Sequence, residues 1–367
     1  MQLLRRVVFT AAMAEPEQDS TSLALIQDYL RRRAARVENF QGMTEAERAA
    51  EAEMRRERAR RLAKRARERE LEAAILDFDP KQGGRYYNRI YYVDFTTFDL
   101  DEESPLGPMR YTDRVSEPDG HQYKPCEAIN IFSVKIASSD VGFPLHVYGT
   151  VIARDSIDRK CLYLFRRDRD HCQLINSEDE TLILTGPKRG LALIDDDYVE
   201  VDLKIRDPQG QDRELSKGIL TIRGMAGRSL EKCEVENESL ATRLSTVDVM
   251  YAVVKLAVEA NIAIEVRRGE FYGKITAHTT SINNPIVLND SELTGVMTSN
   301  GNKFVQLMRS VVSIYMMDVL ILVFQTCDGK YQHTIKFTPM LNGWGEDVVT
   351  VGGTKMCVKV TWSIMDF

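Results

Sequence analysis

Alternating apolar and polar residues over the last two-thirds of the chain predict β-strands. In residues 199–205 apolar and charged side chains alternate strictly, as they do in a strand with one buried face. Residues 356–364 show the same alternation at the C-terminal end. The same reasoning predicts further strands at residues 129–136, 146–153, 181–184, 262–266, 272–277, 311–315, 319–324 and 333–337.

Turn-forming dipeptides such as Gly186-Pro187 and Asn342-Gly343 separate these strands. Little helical periodicity lies between them, apart from residues 246–260, whose valine-rich sequence fits either a helix or a strand. Short strands with frequent turns are typical of antiparallel folds. The sequence therefore predicts a mainly β fold, an antiparallel sandwich or barrel, beyond Cys126.

Three pairs of similar segments occur in the same order along this β region. They predict two similar β-modules packed together, residues 126–224 and 242–367, with a joint near residues 224–242. Convergent strand patterns are the alternative explanation. The pairs are residues 133–137 with 253–257, residues 148–153 with 272–277, and the strands around Val201 and Ile321.

The region before the strands has a helical pattern. In residues 21–37 large apolar residues recur at helical spacing, and Gln41-Gly42 then interrupts the pattern. Thr44 and Glu47 form the capping-box pattern that starts a helix, and the following residues are rich in Ala, Glu and Arg. We therefore predict a long charged helical arm over residues 21–79, after a disordered or leader segment in the first 20 residues.

The second helix of this arm is charged rather than amphipathic. Between residues 45 and 70 the only large apolar residues are Met54 and Leu62, and such a helix projects into solvent or bridges between parts. Its basic segment, residues 55–67, is a candidate surface for RNA, an acidic partner or a nuclear import receptor. A solvated helix without a partner is the alternative. The candidate contact residues are Arg55, Arg56, Arg58, Arg60, Arg61, Lys64, Arg65 and Arg67.

Residues 80–125 predict an extended connector between the arm and the strands. A cluster of aromatic residues is followed there by an acidic stretch that contains prolines. We expect the aromatic side chains to anchor the connector to the neighbouring domain, and a stacking platform for nucleic-acid bases is the alternative. The cluster consists of Tyr86, Tyr87, Tyr91, Tyr92, Phe95 and Phe98.

Composition places few limits on the function. The 49 Lys and Arg residues against 55 Asp and Glu give a net charge of −6, which does not by itself favour nucleic acid. The six cysteines are scattered without a Cys-x-x-Cys pair, which argues against a disulfide-rich scaffold and a standard zinc site and favours a reducing compartment. The sequence therefore predicts an intracellular protein, cytoplasmic or nuclear.

Neither the N-terminus nor the most apolar stretch predicts a membrane anchor. Residues 1–14 carry Arg5 and Arg6 and no acid, so an organellar leader is conceivable, but Met13 as the usual start is favoured. Residues 311–324 are apolar but are interrupted by Asp318. A membrane-spanning helix needs about 20 nearly uncharged residues, so we expect this stretch in the core.

No motif for nucleotide binding, metalloprotease chemistry or a nucleophile elbow occurs in the sequence. We therefore predict no catalytic, cofactor-binding or metal-binding residue. His146, His171 and Cys172 are weak candidates for a Cys/His pair. The acidic run 195–197, with Asp155 and Asp158, is a weak candidate for Ca²⁺, because it lacks the spacing of an EF-hand loop. Plausible exposed loop contacts are Arg166, Arg167, Lys188 and Arg189.

Six phrases of the chain carry a resemblance to a known family. They are FPLHVYGTVIARDSID (143–158), LILTGPKRG (182–190), YVEVDLKI (198–205), LSTVDVMYAVVKLAVEA (244–260), GEFYGKITAHT (269–279) and KVTWSI (359–364). These phrases resemble a plant domain of unknown function that is expanded in grasses. The resemblance covers roughly residues 90–367 and leaves the arm outside. In some family members the domain accompanies a ribosome-inactivating rRNA N-glycosylase module, as in jasmonate-induced proteins, which implies a link to stress or defence. That module is not recognisable here, since Glu45 and Arg48 match its Glu-x-x-Arg only by spacing.

These patterns together favour a non-enzymatic protein-interaction domain with a helical arm, an unknown protein partner and a stress-related role in plants. An RNA- or ribosome-associated protein that uses the basic residues 55–67 is the first alternative. An enzyme linked to the rRNA N-glycosylases is the second alternative, and it is disfavoured because the family brings no known catalytic residues.

Overall fold

A long helix precedes the strands. The computed structural model of the chain describes residues 24, 26–32, 43–92, 94–108, 125–207, 210–224, 226, 233–298 and 305–365. The chain divides into two compact units, Met1–Glu70 and Leu71–Phe367. Helix α1 (Glu45–Ile75) begins in the first unit, and residues 26–32 are also helical. The predicted leader and the break at Gln41-Gly42 lie outside the described residues.

The start of α1 confirms the predicted capping box. The Thr44 N–H donates to Oε2 of Glu47 at 2.8 Å, and the Glu47 N–H donates to Oγ1 of Thr44 at 3.3 Å. These two bonds satisfy donors that a helix otherwise leaves open at its N-terminus. Ile75 is the one buried residue of α1, so almost the whole helix surface is charged and exposed.

A small hairpin follows α1 directly. Strands β1 (Leu76–Asp79) and β2 (Gly84–Tyr87) pair around a 3-10 turn at Pro80–Gln82. The Tyr86 hydroxyl donates to the backbone oxygen of Lys217 at 2.7 Å, which fastens the hairpin to the β region.

Nineteen further elements of the described chain form the β region, and every pairing between named strands is antiparallel. The first nine are β3 (Cys126–Ser139), β4 (Leu145–Arg154), β5 (Leu162–Arg167), β6 (Gln173–Ile175), β7 (Leu191–Ala192), β8 (Asp197–Ile205), β9 (Arg213–Ile222), β10 (Glu234–Thr242) and β11 (Ser245–Arg268). The remaining ten are β12 (Glu270–Phe271), β13 (Gly273–Thr279), β14 (Ile286–Asp290), the short helix α2 (Ser291–Thr294), β15 (Met297–Thr298), β16 (Val311–Tyr315), β17 (Leu320–Thr326), β18 (Gln332–Phe337), β19 (Gly343–Val351) and β20 (Thr354–Ile364).

Three sheets carry most of these strands. The central sheet has the order β19-β20-β11-β3-β7, with β10 and β16 also paired to β11. The first outer sheet has the order β5-β4-β8-β9, with β6 paired to β4, and the second outer sheet has the order β14-β13-β17-β18. No described sheet closes on itself, so the mainly β antiparallel prediction is confirmed and the barrel alternative is wrong.

Two large apolar clusters form the core of the β region. The first core combines side chains from β3, β10 and the first half of β11 with those of the first outer sheet. The second core combines the second half of β11, β19 and β20 with the second outer sheet. The alternating apolar residues supply both cores because every second side chain of a strand points to the same face.

Strand β11 belongs to both cores and changes face between them. Odd-numbered residues 247–253 point into the first core, whereas even-numbered residues 258–266 point into the second. The exchange occurs at a β-bulge where the register against β3 shifts between Val254 and Ala257. Leu256 lies in this bulge with a positive φ of 43°. One extra residue in a strand reverses which side chains face inward, and the bulge supplies that residue.

Two sequence interpretations need correction or refinement here. Residues 181–184 do not form a strand; Thr181 makes an isolated bridge to Lys135, and the Leu182 N–H donates to the Val134 oxygen at 2.8 Å. The ambiguous segment 246–260 is strand throughout, because it lies inside the central sheet with partners on both edges. Among the residues described, no helix is both long and apolar enough to cross a membrane.

Candidate functional site

The basic side chains predicted on the arm all lie exposed on α1. The helix backbone distributes them around its circumference, since neighbouring residues are turned by about 100°. Arg58, Arg61 and Arg65 share one face by their spacing of three and seven positions, and Arg56, Arg60 and Arg67 occupy roughly the opposite face. The eight exposed residues are Arg55, Arg56, Arg58, Arg60, Arg61, Lys64, Arg65 and Arg67.

Glutamates within the helix neutralise part of this charge. Ion pairs join Arg55 to Glu51, Arg61 to Glu57, Arg56 to Glu53, Lys64 to Glu68 and Arg67 to Glu70, all at a spacing of three or four residues. Exposed pairs of this kind contribute about 0–1 kcal/mol each and are easily exchanged for another anion. Arg58, Arg60 and Arg65 form no ion pair with any described residue, so uncompensated positive charge is concentrated at the middle of α1.

The Glu-x-x-Arg spacing at Glu45 and Arg48 lies at the first turn of this same helix. Both residues are exposed, and Glu47 between them is engaged with the cap at Thr44. The two hydrogen bonds from Thr44 lower the pKa of the Glu47 carboxyl.

The four predicted loop contacts do not form one surface. Arg166 and Lys188 are exposed and both pair with Glu103, at 3.8 and 2.9 Å. Arg167 is partly buried and donates to the His171 oxygen at 3.2 Å. Arg189 is fully buried, so its interpretation as an exposed loop residue is wrong.

Arg189 is buried because carboxylates surround it. Its guanidinium pairs with Asp155 at 2.5 Å and with Asp158 at 3.3 Å. The next residue, Gly190, donates its N–H to the buried Glu259 carboxylate at 2.7 Å. A paired and hydrogen-bonded charge tolerates burial, whereas an isolated charge does not.

The acidic residues considered for Ca²⁺ are committed to protein groups instead. Asp155 and Asp158 pair with Arg189, and Asp196 accepts the Gly224 N–H at 2.7 Å. Asp197 is 3% exposed, and burial together with the nearby Asp155 raises its pKa well above the usual range. No group of three or more His, Cys, Asp or Glu side chains arranged for a metal occurs in the described part of the chain.

The weak Cys/His candidate is partly assembled. The Cys172 sulfur lies 3.9 Å from Nδ1 of His146, and Arg206 approaches the same sulfur at 3.8 Å. His171 is turned away and interacts with Asp168 at 2.8 Å. Cys172 and His146 meet because β6 pairs with β4 beside them.

The structure also contains a buried cluster of charged residues that the sequence did not predict. Arg154 is fully buried and donates to both oxygens of Glu200, at 2.8 and 3.0 Å. Arg89 donates to Glu200 at 3.1 Å, and the Ile90 N–H does so at 2.9 Å. The cluster joins residues 88–108 to β4 and β8. Its sequence signal is weak, because Glu200 falls at an apparently outward position in an alternating strand.

This cluster is better suited to holding the chain together than to catalysis. A carboxylate has about four acceptor positions, and four donors already occupy those of Glu200. Glu200 therefore has no free lone pair with which to take a proton from a substrate. The adjacent cavity of about 160 Å³ is lined by Asn88 and Asp202, each with a buried oxygen that lacks a described partner. It can hold water or a small hydrogen-bond donor.

The predicted aromatic anchor of residues 80–125 is only one part of the attachment. The rings of Tyr92 and Phe98 stack at 4.2 Å, and Tyr91 meets the edge of Phe95 at 5.4 Å. The hydroxyl of Tyr86, another member of the cluster, reaches the Lys217 oxygen. The ion pair between Arg89 and the buried Glu200 adds to the connection, as does the Ser104 N–H, which donates to the Cys161 oxygen at 3.0 Å.

Comparison with solved structures gives weak likenesses. Human GIVD cytosolic phospholipase A2 matches with 7% identity and a TM-score of 0.23, over 67% of this chain and 31% of the other. The same human enzyme in complex with methyl gamma-linolenyl fluorophosphonate matches with 9% identity and a TM-score of 0.23, over 66% and 33% of the two chains. The chain thus spans about a third of these structures, and scores this low carry no argument about fold or activity.

Comparison with curated proteins finds no match. A family match covers residues 128–360, which include β4 to β19 in full and most of β3 and β20. The matched region contains both cores apart from Trp362, and it excludes α1 and the hairpin that follows it. The chain therefore belongs to the family described as a domain of unknown function, DUF6598.

Proposed function

We propose that this chain is a non-enzymatic interaction protein in which α1 is the binding element and the β region is its scaffold. The observation that carries this proposal is the exposure of α1. Its 31 residues bury a single side chain, Ile75. A helix that contributes so little to a core is maintained by its own capping and charge pairs, and its surface remains available to a partner.

The charge of α1 favours an acidic partner. Residues 58–67 contain six basic residues and no acidic one. Because the whole chain carries a net charge of −6, its remainder repels a long polyanion. A compact acidic protein surface, which contacts the middle of α1 alone, fits this distribution best.

The proposal is tested by reversing three charges in the full chain. The variant Arg58→Glu, Arg60→Glu, Arg65→Glu removes three cations at the middle of α1 that have no described ion pair. The control Arg213→Glu, Arg268→Glu, Lys355→Glu changes the net charge equally at exposed positions that also have no described ion pair. We expect proteins captured by the wild type and the control to be absent from the first variant. Equal capture by all three would contradict a role for α1.

RNA is the second candidate partner, and the row formed by Arg58, Arg61 and Arg65 favours it. These side chains follow one face of the helix over about 10 Å, a length that spans successive phosphates. RNA binding through them predicts affinity that falls steeply with salt. The triple variant should lower the slope of log affinity against log salt by about 0.7 for each arginine that had neutralised a phosphate. Binding that is absent or indifferent to salt would exclude this candidate.

We further propose a role in stress or defence. Its support is the resemblance of residues 90–367 to a grass-expanded plant domain that accompanies rRNA N-glycosylase modules in some proteins. We expect the transcript to rise under stress treatment while the purified chain releases no adenine from ribosomes. Adenine release would instead support the glycosylase alternative.

We also propose that the β region consists of two similar modules. The support is a repeated pattern of pairing: β5-β4-β8-β9 has its counterpart in β14-β13-β17-β18, and the hairpin of β10 and β11 has its counterpart in β19 and β20. A matching pair of glycines adds to it. A Cβ on Gly149 would lie 2.1 Å from the Asp202 oxygen, and one on Gly273 would lie 2.1 Å from the Gln325 oxygen.

Two of the three sequence pairs agree with this correspondence. Residues 148–153 lie in β4 and residues 272–277 in or beside its counterpart β13, while Val201 and Ile321 lie in β8 and β17. The pair 133–137 and 253–257 does not fit, because residues 253–257 precede the half of β11 that serves the second core. An experimental structure tests the proposal by superposition of β4, β5, β8 and β9 on β13, β14, β17 and β18. Unrelated backbone paths of β4 and β13 would contradict it.

A further inference from the structure

Arg309 is a buried cation with no carboxylate partner among the residues that the structure describes. The residue is 4% exposed, and burial lowers the pKa of its guanidinium to about 10. Its Nη2 donates to the Ile131 oxygen at 2.8 Å, whereas Nε has no hydrogen-bond partner in the described chain. The other two deeply buried arginines, Arg154 and Arg189, both face carboxylates.

This difference points to a ligand. Placing a charge in a protein interior without a counter-charge is unfavourable, and proteins normally provide one. A carbonyl oxygen satisfies one donor of Arg309 but carries no full negative charge. An anion bound beside Arg309 would supply both the missing charge and the missing acceptors.

A cavity of about 120 Å³ lies next to Arg309 and is open to such a ligand. One wall comes from residues 181–184, which pack on the first core, and the opposite wall comes from β13 and β14. Lys274 also lines the cavity and pairs with Asp290 at 3.0 Å. Two cations and one anion therefore give the lining a net positive charge.

The rest of the lining limits the class of anion. Seven of the eleven residues around the cavity are apolar, and inorganic phosphate or sulfate would exchange part of its hydration shell for their side chains, which is costly. A carboxylate attached to an apolar body satisfies both parts of the cavity, since its charged end meets Arg309 and its body meets the apolar wall. These apolar residues come from both walls and include Phe132, Leu182, Leu184, Val287, Leu293 and Met308.

We propose that this cavity binds a small apolar monocarboxylate, held by Arg309 and contacted from both halves of the β region. This site is separate from α1 and does not depend on the function proposed for that helix. The bound ligand stabilises the fold, because a ligand that binds only the native state shifts the unfolding equilibrium toward that state.

The test compares hexanoate with the neutral hexanamide on the full chain, by thermal unfolding and calorimetric titration. Hexanoate should raise the melting temperature of the wild type, whereas hexanamide should not. In Arg309→Met the hexanoate affinity should fall by about thirtyfold or more, because the buried counter-charge is gone. Without ligand, Arg309→Met should melt no lower than the wild type, since a methionine replaces an uncompensated charge.

A second variant keeps the test decisive if Arg309→Met fails to fold. Lys274→Met removes the exposed cation of the cavity and should weaken hexanoate binding, whereas Lys336→Met, at an exposed position of β18 outside the cavity lining, should not. Equal effects of hexanoate and hexanamide would overturn the proposal. So would inorganic phosphate binding more tightly than hexanoate, or hexanoate binding unchanged in Lys274→Met.

Discussion

At the residue scale, the buried charged side chains of this protein differ in how fully counter-charges and hydrogen bonds satisfy them. Arg154 provides two of the four hydrogen bonds that Glu200 accepts, and Arg89 and the Ile90 N–H provide the other two. Removing one partner of a buried pair leaves an uncompensated charge, which is the main source of its importance. The main effect of this buried cluster is therefore to attach residues 88–108 to the sheet, rather than to raise the net stability of the fold.

Glu200→Gln should destabilise the native state strongly. The variant leaves Arg154 buried without a counter-charge, so we expect a loss of about 3–5 kcal/mol in the free energy of unfolding. Urea denaturation followed by circular dichroism measures it.

The matched control is Asp101→Asn, which removes the exposed partner of Arg89. The Asp101 side chain is 83% exposed, so its loss should cost about 0–1 kcal/mol. Similar losses in the two variants would mean that burial of the Arg154–Glu200 pair is unimportant.

The contribution of Asp197 to the stability of the native state should depend on pH in the opposite direction from that of most carboxylates. Its pKa is raised in the folded state, first by burial and then by Asp155, so the native state retains a proton that the unfolded chain loses near pH 4. Stability contributed by this proton is complete below the unfolded pKa and declines as the pH rises toward the folded pKa. Asp197→Asn should therefore gain stability relative to the wild type as the pH rises above about 4.

Urea midpoints at several pH values measure this difference. Asp195→Asn is the control, because it removes a neighbouring carboxyl group that is 80% exposed. A constant difference between Asp197→Asn and the wild type from about pH 4 to about pH 8 would contradict the prediction.

At the element scale, the bulge in β11 explains how one strand can serve two cores. Leu256 has a positive φ of 43° and is 47% exposed. Its side chain therefore contributes little to packing, and the backbone accepts a strained conformation to insert one residue. The inserted position, rather than the leucine side chain, is the structural requirement.

Deletion of Leu256 should prevent folding of one half of the β region, whereas Leu256→Gly should be nearly neutral. The deletion turns every side chain on one side of the bulge to the wrong face. Glycine relieves about 1–2 kcal/mol of backbone strain and loses about 0.5–1 kcal/mol of strand preference. Soluble yield and thermal melting of both variants provide the measurement, and a well-folded deletion variant would show that register is not fixed by the bulge.

Strands with one buried face were predictable, and the sites formed by distant residues were not. The alternation of residues 199–205 located β8, and the capping pattern at Thr44 located the start of α1, because both signals are local. The segment 246–260 remained ambiguous since both of its faces are largely apolar or buried. Arg189 was placed on the surface because its partner Asp155 lies 34 residues away, and no local pattern reveals such a pairing.

At the scale of the whole β region, the two cores share a strand and should unfold together. Trp362 is fully buried in the second core, and Trp344 is exposed on β19, so both tryptophans report on the second half. Far-UV circular dichroism reports on all strands. Denaturation curves from the two signals should coincide, as expected for one cooperative transition.

A cavity in the first core should therefore shift the tryptophan signal of the second. Leu203 is fully buried in the first core, and Leu203→Ala should cost about 2–5 kcal/mol. We expect the fluorescence midpoint to fall together with that of circular dichroism. An unchanged fluorescence midpoint would show that the halves unfold separately.

The shared strand also determines how this protein can be cut for laboratory work. A fragment that stops at residue 224 would lack β10 and the whole of β11, leaving an edge of β3 bare. A fragment that starts at residue 242 would keep residues 246–254 without β3 and without nearly all of β10, their neighbours in the whole chain. Bare, apolar strand edges recruit other chains. Halving the molecule at the boundary that its sequence suggests should thus yield insoluble products, and shuffling such halves among relatives would require a junction inside β11.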